Sequence, residues 1–300
     1  MTSTGFSWNL LADVQQMWSY PFMVNAFRAG AVVAVVAGAV GWFMVLRRQT
    51  FAGHTLSVVA FPGASFAVLT GISLSLGYFG FCVAAALVLA GLRRGRAADD
   101  GAESAATGVL QAFVLACGYL FMALYKGLLE GPQALLFGSF LGITTGQVLT
   151  LAVAGVVVLL VLAGIGRPLL FASVDPAVAA ARGVPVRLLS AVFLVLLGAA
   201  VAEAAQITGA LLVFALMVLP AATAQVLTAR PAVSLLLTVG IGFAVTWAGL
   251  VAAFYWPYPF GFFVTSIAFG LFLLAHGARA LAGVRAGRAG RGPIALGGTA

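Results

Sequence analysis

The stretch AGAVVAVVAGAVGWFMVLRR, Ala29 to Arg48, decides the fold of this chain. No charged residue interrupts it until the two arginines at its end. About 20 consecutive apolar residues are enough for an α-helix to cross the hydrocarbon core of a bilayer. The stretch therefore predicts a membrane-spanning helix that ends at Arg47.

The composition extends this prediction to the whole chain. Of its 300 residues, 63% are hydrophobic and only 7% are charged, whereas a soluble domain carries about 25% charged residues. Too few polar side chains remain to cover a surface that faces water. The net charge of +8 does not indicate a nucleic-acid partner, because the arginines are spread between apolar runs. The partner that the composition implies is the lipid bilayer.

Apolar runs along the sequence predict an all-α fold, a polytopic integral membrane helical bundle with about eight or nine transmembrane helices. The weakest boundary lies near Ala205–Gln206, between the sixth and seventh runs. The nine predicted spans are residues 22–46, 55–76, 78–92, 106–126, 146–165, 187–205, 207–228, 232–255 and 259–280.

The basic residues fall in alternating connections between these spans. Connections that hold them follow spans one, three, five and seven, and the tail after span nine holds more. The intervening connections hold only Lys126, which Glu130 balances. Because basic residues concentrate on the cytoplasmic side, we expect a multi-pass protein of the plasma membrane with its N-terminus outside and its C-terminus in the cytoplasm. The arginines of these connections and of the tail are Arg47, Arg48, Arg93, Arg94, Arg96, Arg167, Arg182, Arg187, Arg230, Arg285, Arg288 and Arg291.

Three regions follow from this reading. Residues 1–21 are predicted to form an interfacial N-terminal segment, with tryptophan and tyrosine at the level of the lipid headgroups. Residues 22–283 form the membrane domain. Residues 284–300 are rich in glycine, alanine and arginine, and are expected to be a disordered cytoplasmic tail.

One cytoplasmic connection predicts a short helix at about 175–183. Asp175 is a good N-cap and Pro176 suits the first helical position, while Gly183 suits the C-terminal stop. The helix is either an ordinary connector on the membrane surface or a rigid element that docks on a cytoplasmic partner. Its small side chains, which suit a groove on another subunit, are Ala177, Ala179, Ala180 and Ala181.

Four segments, in order, resemble the ABC-3 family of permease subunits from zinc, manganese and iron ABC importers. They are FMVNAFRAGAVVAVVAGAVGWFMVLRRQTFAGHTLS from Phe22, LLFGS at 135–139, DPAVAAARGVPVRLL from Asp175, and TGALLVFALMVLPAATAQVL from Thr208. The third segment resembles the family's coupling helix, the element that docks on the ATPase. Its matching residues are Asp175, Pro176, Ala179, Ala180, Arg182 and Gly183.

The resemblance implies a homodimer of permeases with a cytoplasmic ABC ATPase and an extracytoplasmic metal-binding protein. It implies a divalent metal as transported substrate and no permanently bound cofactor. The sequence contains no Walker A pattern, G-x-x-x-x-G-K-[ST]. We therefore expect that the chain is not an enzyme and that its energy comes from the partner ATPase.

The residue His54 is the first candidate on the metal pathway. Many family members read approximately G-D-A-L-S-H-A at this point, where the Asp and the His are associated with the metal. Here His54 stands in place of the Asp and Val58 in place of the His. Positions four apart share one face of a helix, so this chain offers one nitrogen ligand where the family offers two ligands. Two His54 side chains, one from each subunit, would restore a pair; the alternative is a histidine that contacts only water or headgroups.

The acidic residue Glu203 is the second candidate, because it lies deep in a late apolar run. A carboxylate at that depth is costly unless it is paired, protonated or facing water. It lines the pathway or makes a polar contact inside the bundle, with Gln206 as a neighbour on the same face; the alternative is a position at the outer mouth. Pro62 and Pro220 are predicted to kink the second and seventh spans, either in moving helices or in merely packed ones.

Three rival functions remain open from the sequence. A permease for a chelated cofactor, such as siderophore-bound iron or cobalamin, also carries a short coupling helix. A secondary transporter would need no ATPase. A membrane-embedded enzyme would need a catalytic set at bilayer depth, and the apolar runs contain no HExxH, no GxSxG and no paired aspartates to supply one.

Overall fold

The computed structural model describes residues 15–94, 100–125, 142–210 and 212–289. The helices in these ranges are α1 (Pro21–Leu46), α2 (Thr50–Thr70), α3 (Leu74–Arg94), α4 (Asp100–Leu124), α5 (Thr145–Val174), α6 (Pro176–Ala181), α7 (Val186–Thr208), α8 (Val213–Leu227), α9 (Pro231–Tyr255) and α10 (Phe260–Ala289).

The predicted all-α membrane bundle is confirmed. Eight helices in the described ranges are long and apolar enough to cross a membrane, and each overlaps one of the nine predicted spans. The remaining predicted span, 207–228, forms the shorter apolar helix α8, Val213–Leu227. At about 1.5 Å per residue this helix is too short to cross the hydrocarbon core by itself. Its last turn still lies beside the end of α1, since Gln225 donates to the Trp42 carbonyl at 3.1 Å. Because the start of α7 contacts Arg47 at the same end, the chain leaves that end in α7 and returns to it through α8.

The break between α7 and α8 lies later than the sequence predicted. The helix α7 passes through Ala205 and Gln206 and ends at Thr208. Gly209 follows with φ 78° and ψ 155°, a backbone region that is open almost only to glycine. A side chain at position 209 would be strained, so the helix stops at the glycine and not at the polar Gln206.

The helix α5 is longer than predicted. The predicted span ends at residue 165, yet α5 continues through Pro168 and ends at Val174. Leu169 and Ala172 are buried against the bundle. Their burial stabilises the last turns of α5, which offsets the backbone hydrogen bond that Pro168 cannot make.

The two termini extend only in part into the described ranges. Residues 1–14 of the predicted interfacial segment lie outside them, and Met17 is buried against the bundle beside the exposed Trp18. At the other end α10 continues to Ala289. The predicted disordered tail, 284–300, therefore begins with helical residues, and residues 290–300 lie outside the described ranges.

The helix α1 lies at the centre of the bundle. It packs against α5, α7, α8 and α9, while α2, α3, α4 and α7 pack together beside it. The helices α1 and α2 are the most buried of the spans. The first long helix of the sequence is thus surrounded by protein, and α4 and α5 present most of their surface outward.

The centre of the bundle is held by a close approach of backbone to backbone at Gly41. A Cβ atom added to Gly41 would lie 2.3 Å from the carbonyl oxygen of Met217 in α8. Small residues permit such approaches between helices in lipid. Gly41 therefore sets the distance between α1 and α8.

We expect Gly41→Ala to destabilise the chain by about 1–3 kcal/mol or more, because overpacking of a dense interior costs this much and the obstructing atom belongs to the backbone. The midpoint of thermal unfolding in detergent should fall. The matched control is Gly164→Ala, because an added Cβ there has no neighbour within 4 Å. Equal midpoints for the two variants would contradict the packing of α1 on α8.

Candidate functional site

The candidate His54 lies in the second turn of α2 and is half buried. Its ring meets the ring of Phe214 in α8 edge-on, with 5.1 Å between the centroids and 71° between the planes. The Ser57 hydroxyl donates to the His54 carbonyl oxygen at 2.7 Å. The imidazole therefore lies between α2 and α8, held by an aromatic contact on one side.

The turn between α1 and α2 fixes the start of the helix that carries His54. The amide of Arg48 donates to the carbonyl of Val45, and the amide of Gln49 donates to the carbonyl of Met44. These two bonds are those of a Schellman motif, and Arg48 takes the left-handed position with φ 56°. The corner is consequently tight and needs only three residues.

Gly53, the residue before His54, allows a further close contact at this corner. A Cβ added to Gly53 would lie 2.2 Å from the sulfur of Met44. The amide of Gly53 also donates to the carbonyl of Gln49 at 3.0 Å. The first turn of α2 therefore rests directly on the last turn of α1.

The second candidate, Glu203, is fully buried in α7. A Cβ added to Gly155 of α5 would lie 3.1 Å from its Oε1 atom and 2.9 Å from Val36 of α1. Among the described residues neither carboxylate oxygen has a hydrogen-bond partner. Glu203 thus lies where α1, α5 and α7 meet, in a different environment from that of His54, and the absence of a side chain at Gly155 makes room for it.

The neighbour Gln206 does not contact this carboxylate in the structure. Its side chain accepts a hydrogen bond from the Ser75 hydroxyl at 2.6 Å and donates to the Ala202 carbonyl at 3.1 Å. The pairing of Gln206 with Glu203 that the sequence suggested is therefore wrong. The side-chain partner of Gln206 is instead Ser75 of α3, which is 131 positions away in the sequence.

A short helix, α6, forms where the sequence predicted one. The Asp175 side chain accepts a hydrogen bond from the Val178 amide at 2.9 Å and caps the helix, with Pro176 in the first turn. At the other end Gly183 has φ 81°. The amides of Gly183 and Val184 donate to the carbonyls of Ala180 and Ala179, which makes a second Schellman motif.

The faces of α6 differ in exposure. Ala179 is fully buried against the bundle, and the guanidinium of Arg182 lies 6.0 Å from the centre of the Phe171 ring. The opposite face is open: Val178 is 43% exposed, and Val174 just before the helix is 74% exposed. The remaining exposed side chains of the helix and its end are Pro176, Ala177, Ala180, Ala181 and Arg182. A small, rigid and partly apolar surface therefore projects from the bundle.

Contacts of Arg47, which sequence reasoning missed, join the two helices that flank α6 to the α1–α2 corner. The Arg47 guanidinium donates to the Ser173 hydroxyl at 3.0 Å and to the Ser190 hydroxyl at 2.7 Å. Ser173 lies near the end of α5 and Ser190 near the start of α7, on either side of α6. The pair Arg47–Arg48 was a signal in the sequence, but it indicated only the side of the membrane.

The two predicted proline sites lie inside helices, Pro62 in α2 and Pro220 in α8. Pro62 packs against α4, where a Cβ added to Gly118 would lie 2.9 Å from it. Both prolines are buried. The kinks themselves stay predictions, and α5 contains a further internal proline, Pro168, to which the sequence analysis gave no role.

A metal site is not complete within one copy of the described residues. No group of three or more histidine, cysteine, aspartate or glutamate residues in those ranges could hold an ion. Zinc in proteins takes four ligands, or three and a water molecule. A single His54 supplies one ligand, so a firmly held ion would need donors from elsewhere.

Comparison with known proteins identifies relatives over most of the chain. The chain is 29% identical to the manganese transport system membrane protein MntC of Halalkalibacterium halodurans, over 89% of this chain and 90% of that one. It is 29% identical to the chelated iron transport system membrane protein YfeC of Yersinia pestis, over 82% of each chain. The structure of PsaBC from Streptococcus pneumoniae in complex with Fab matches with a TM-score of 0.78 and 25% identity, over 89% of this chain and 95% of that one.

The family assignment follows from a match along almost the entire membrane domain. The model of the ABC 3 transport family matches residues 19–278, from just before α1 to beyond the middle of α10. The resemblance found in the four sequence segments is thereby confirmed. The chain belongs to the ABC 3 transport family.

Proposed function

We propose that this chain is the membrane permease subunit of an ABC transporter that imports a divalent transition metal, namely manganese, iron or zinc. The observation that carries the proposal is the similarity to MntC, a manganese transport system membrane protein, over about nine tenths of both chains. An ABC ATPase in the cytoplasm supplies the energy, and the chain itself catalyses no reaction.

The partners follow from the architecture of such an importer. The capped helix α6, with its exposed face of small residues, suits the ATPase as a docking element. A second copy of the chain completes the permease, and an extracytoplasmic metal-binding protein delivers the ion. In this arrangement the protein crosses the plasma membrane several times, with its N-terminus outside and its C-terminus in the cytoplasm.

Contacts at the two ends of the bundle support this topology. Arg47 after α1 touches both helices that flank α6, so these two connections lie at the same end. At the other end Asn25 near the start of α1 donates to the Ile143 carbonyl just before α5. The connections that follow α1 and α5, both of which hold arginines, therefore lie on the same side, as the positive-inside rule requires of a cytoplasmic face.

The proposed pathway places His54 from each of two subunits across the dimer axis. An imidazole is a suitable ligand for zinc and iron, while manganese prefers oxygen ligands. One histidine per subunit holds an ion weakly, which suits a pathway through which the ion must pass and leave. Glu203 is a second proposed pathway residue, since a buried carboxylate with no hydrogen-bond partner among the described residues offers oxygen ligands when α5 moves away from α7.

The proposed mechanism couples these two regions. Closure of the ATPase subunits on ATP pushes on α6, and the bundle changes between outward-facing and inward-facing states. A ligand shifts a protein from one state to the other only if it binds the second state more tightly than the first. The ion passes His54 as the pathway closes toward the outside and opens toward the cytoplasm.

A chelated cargo is the second candidate function. YfeC, a chelated iron transport system membrane protein, is as similar in identity as MntC. The apolar Val58 in the place of a family ligand also favours a cargo whose metal already has its own ligands. The chelate would then be recognised by its shape and not by His54.

The test is uptake into proteoliposomes that contain the purified chain with its ATPase and its metal-binding protein. Manganese, zinc and ferrous iron should be compared side by side, each as the free ion and as a siderophore or citrate chelate. We expect ATP-dependent uptake of at least one free ion. Uptake restricted to a chelate would replace the ion proposal by the chelate proposal.

A further inference from the structure

The Arg47 side chain bridges two elements that the proposed mechanism requires to move together. Its Nη1 atom donates to Ser173 Oγ at 3.0 Å and its Nη2 atom donates to Ser190 Oγ at 2.7 Å. The guanidinium also lies 5.5 Å from the centre of the Phe193 ring in α7. A planar fork with fixed donors holds two acceptors at a defined separation, which a lysine does not do.

The two acceptors lie in α5 and α7, the helices that flank the proposed coupling helix α6. Ser173 is the last residue but one of α5, two positions before the N-cap Asp175. Ser190 is in the second turn of α7, just after the turn that ends α6. A movement of α6 that displaces the end of α5 or the start of α7 must therefore stretch a hydrogen bond to Arg47 or carry Arg47 with it.

The Ser173 hydroxyl is fully engaged in this bridge. It accepts from Arg47 and donates to the Leu169 carbonyl at 2.5 Å. Phe193, beneath the guanidinium, is fully buried. The Arg47 guanidinium is thus hydrogen-bonded to the end of α5 and packed on a buried residue of α7.

On its other side Arg47 belongs to the corner that carries His54. Its amide donates to the Phe43 carbonyl and ends α1. The Schellman bonds from Arg48 and Gln49 and the contact of Gly53 with Met44 make this corner compact. A displacement of Arg47 consequently moves the first turns of α2 as one piece.

We propose that Arg47 is a positioning residue that transmits the movement of the coupling helix to the α1–α2 corner and so to His54. This inference rests on the proposed function, since it assigns a role within that transport cycle. Arg47 touches no transported ion itself. It determines how much of the movement caused by ATP reaches the pathway.

The test uses the whole transporter in proteoliposomes and measures metal uptake and ATP hydrolysis in the same sample. Arg47→Met keeps the apolar stem of the side chain and removes both hydrogen bonds. Because hydrogen bonds to a charged group contribute strongly, we expect about a tenfold fall in metal transported per ATP hydrolysed. The ATPase should remain bound, and hydrolysis should fall much less than uptake.

Further variants separate transmission from folding. The double variant S173A/S190A removes only two hydroxyl groups and should reproduce the low ratio of metal to ATP, and Arg47→Met in that background should add little to it. Arg47→Lys should restore the ratio only in part, because one ammonium group does not reproduce the fork. The matched control is Arg48→Met, since the exposed neighbour Arg48 occupies the same corner.

Each outcome distinguishes the inference from the proposed function. An assembled Arg47→Met complex with an unchanged ratio would overturn the inference alone. A parallel fall of uptake and hydrolysis in the double serine variant would also overturn it, because loss of structure lowers both. A complex of the unaltered chain without ATP-dependent uptake would overturn the proposed function, and the role of Arg47 with it.

Discussion

Replacing Ala180 with tryptophan is expected to release the ATPase from the permease and to abolish ATP-driven metal uptake. Ala180 is exposed on α6, whereas its neighbour Ala179 is buried against the bundle. An indole added there obstructs a partner groove without entering the bundle of this chain. Overpacking costs about 1–3 kcal/mol in a close-packed contact, which corresponds to about a 10- to 100-fold loss of affinity. Co-purification of the ATPase with the detergent-solubilised permease measures this loss of affinity.

The control for this substitution is Ala229→Trp in the connection between α8 and α9. Ala229 is also exposed and lies next to Arg230, on the side that is predicted to be cytoplasmic. The added volume is identical, so the control variant should retain the ATPase. Asp175→Ala should have a milder effect, because the loss of an N-cap costs about 1 kcal/mol. Retention of the ATPase by Ala180→Trp would contradict docking on α6.

Replacing His54 with alanine is expected to abolish metal uptake while the ATPase remains bound. In the proposed homodimer each of the two subunits loses one nitrogen ligand. The loss should exceed the cost of removing an outer-shell partner of a metal ligand, which is about 10- to 100-fold in affinity. Uptake of radioactive or fluorescent-reported metal into proteoliposomes measures the effect, with ATPase co-purification from the same preparation.

Two further variants assign the effect to the imidazole nitrogens. His54→Phe keeps a ring against Phe214 but offers no ligand, so it should fail as His54→Ala does. The matched control is His276→Ala, since the chain has only two histidines. His276 is exposed and its Nδ1 atom lies 3.1 Å from the carbonyl oxygen of Phe272 in its own helix. Undiminished uptake by His54→Ala would end the proposed role of this residue.

The features that sequence reasoning predicted well are those with local causes. The spans could be located because a run of apolar residues is enough to specify a helix in lipid. The ends of α6 could be located because Asp175 and Gly183 act through hydrogen bonds to residues within one turn. The end of α5 was misplaced because the burial of Leu169 depends on the fold and not on its neighbours in the sequence.

The features that escaped prediction depend on residues far apart in the chain. Arg47 lies 126 positions from Ser173 and 143 positions from Ser190. The surroundings of Glu203 depend on Gly155 in α5, and an apolar run gives no indication of which helix face meets which neighbour. The partner of Gln206 in α3 was missed for the same reason.

The dependence of transport on ATP hydrolysis by the partner tests the central claim most directly. Metal uptake should be measured in proteoliposomes that contain the chain with its ATPase, with ATP inside or withheld, and with an ATPase variant that binds ATP without hydrolysing it. We predict uptake only where ATP is hydrolysed. Equal uptake by the purified chain alone, driven by a proton or sodium gradient, would contradict the account.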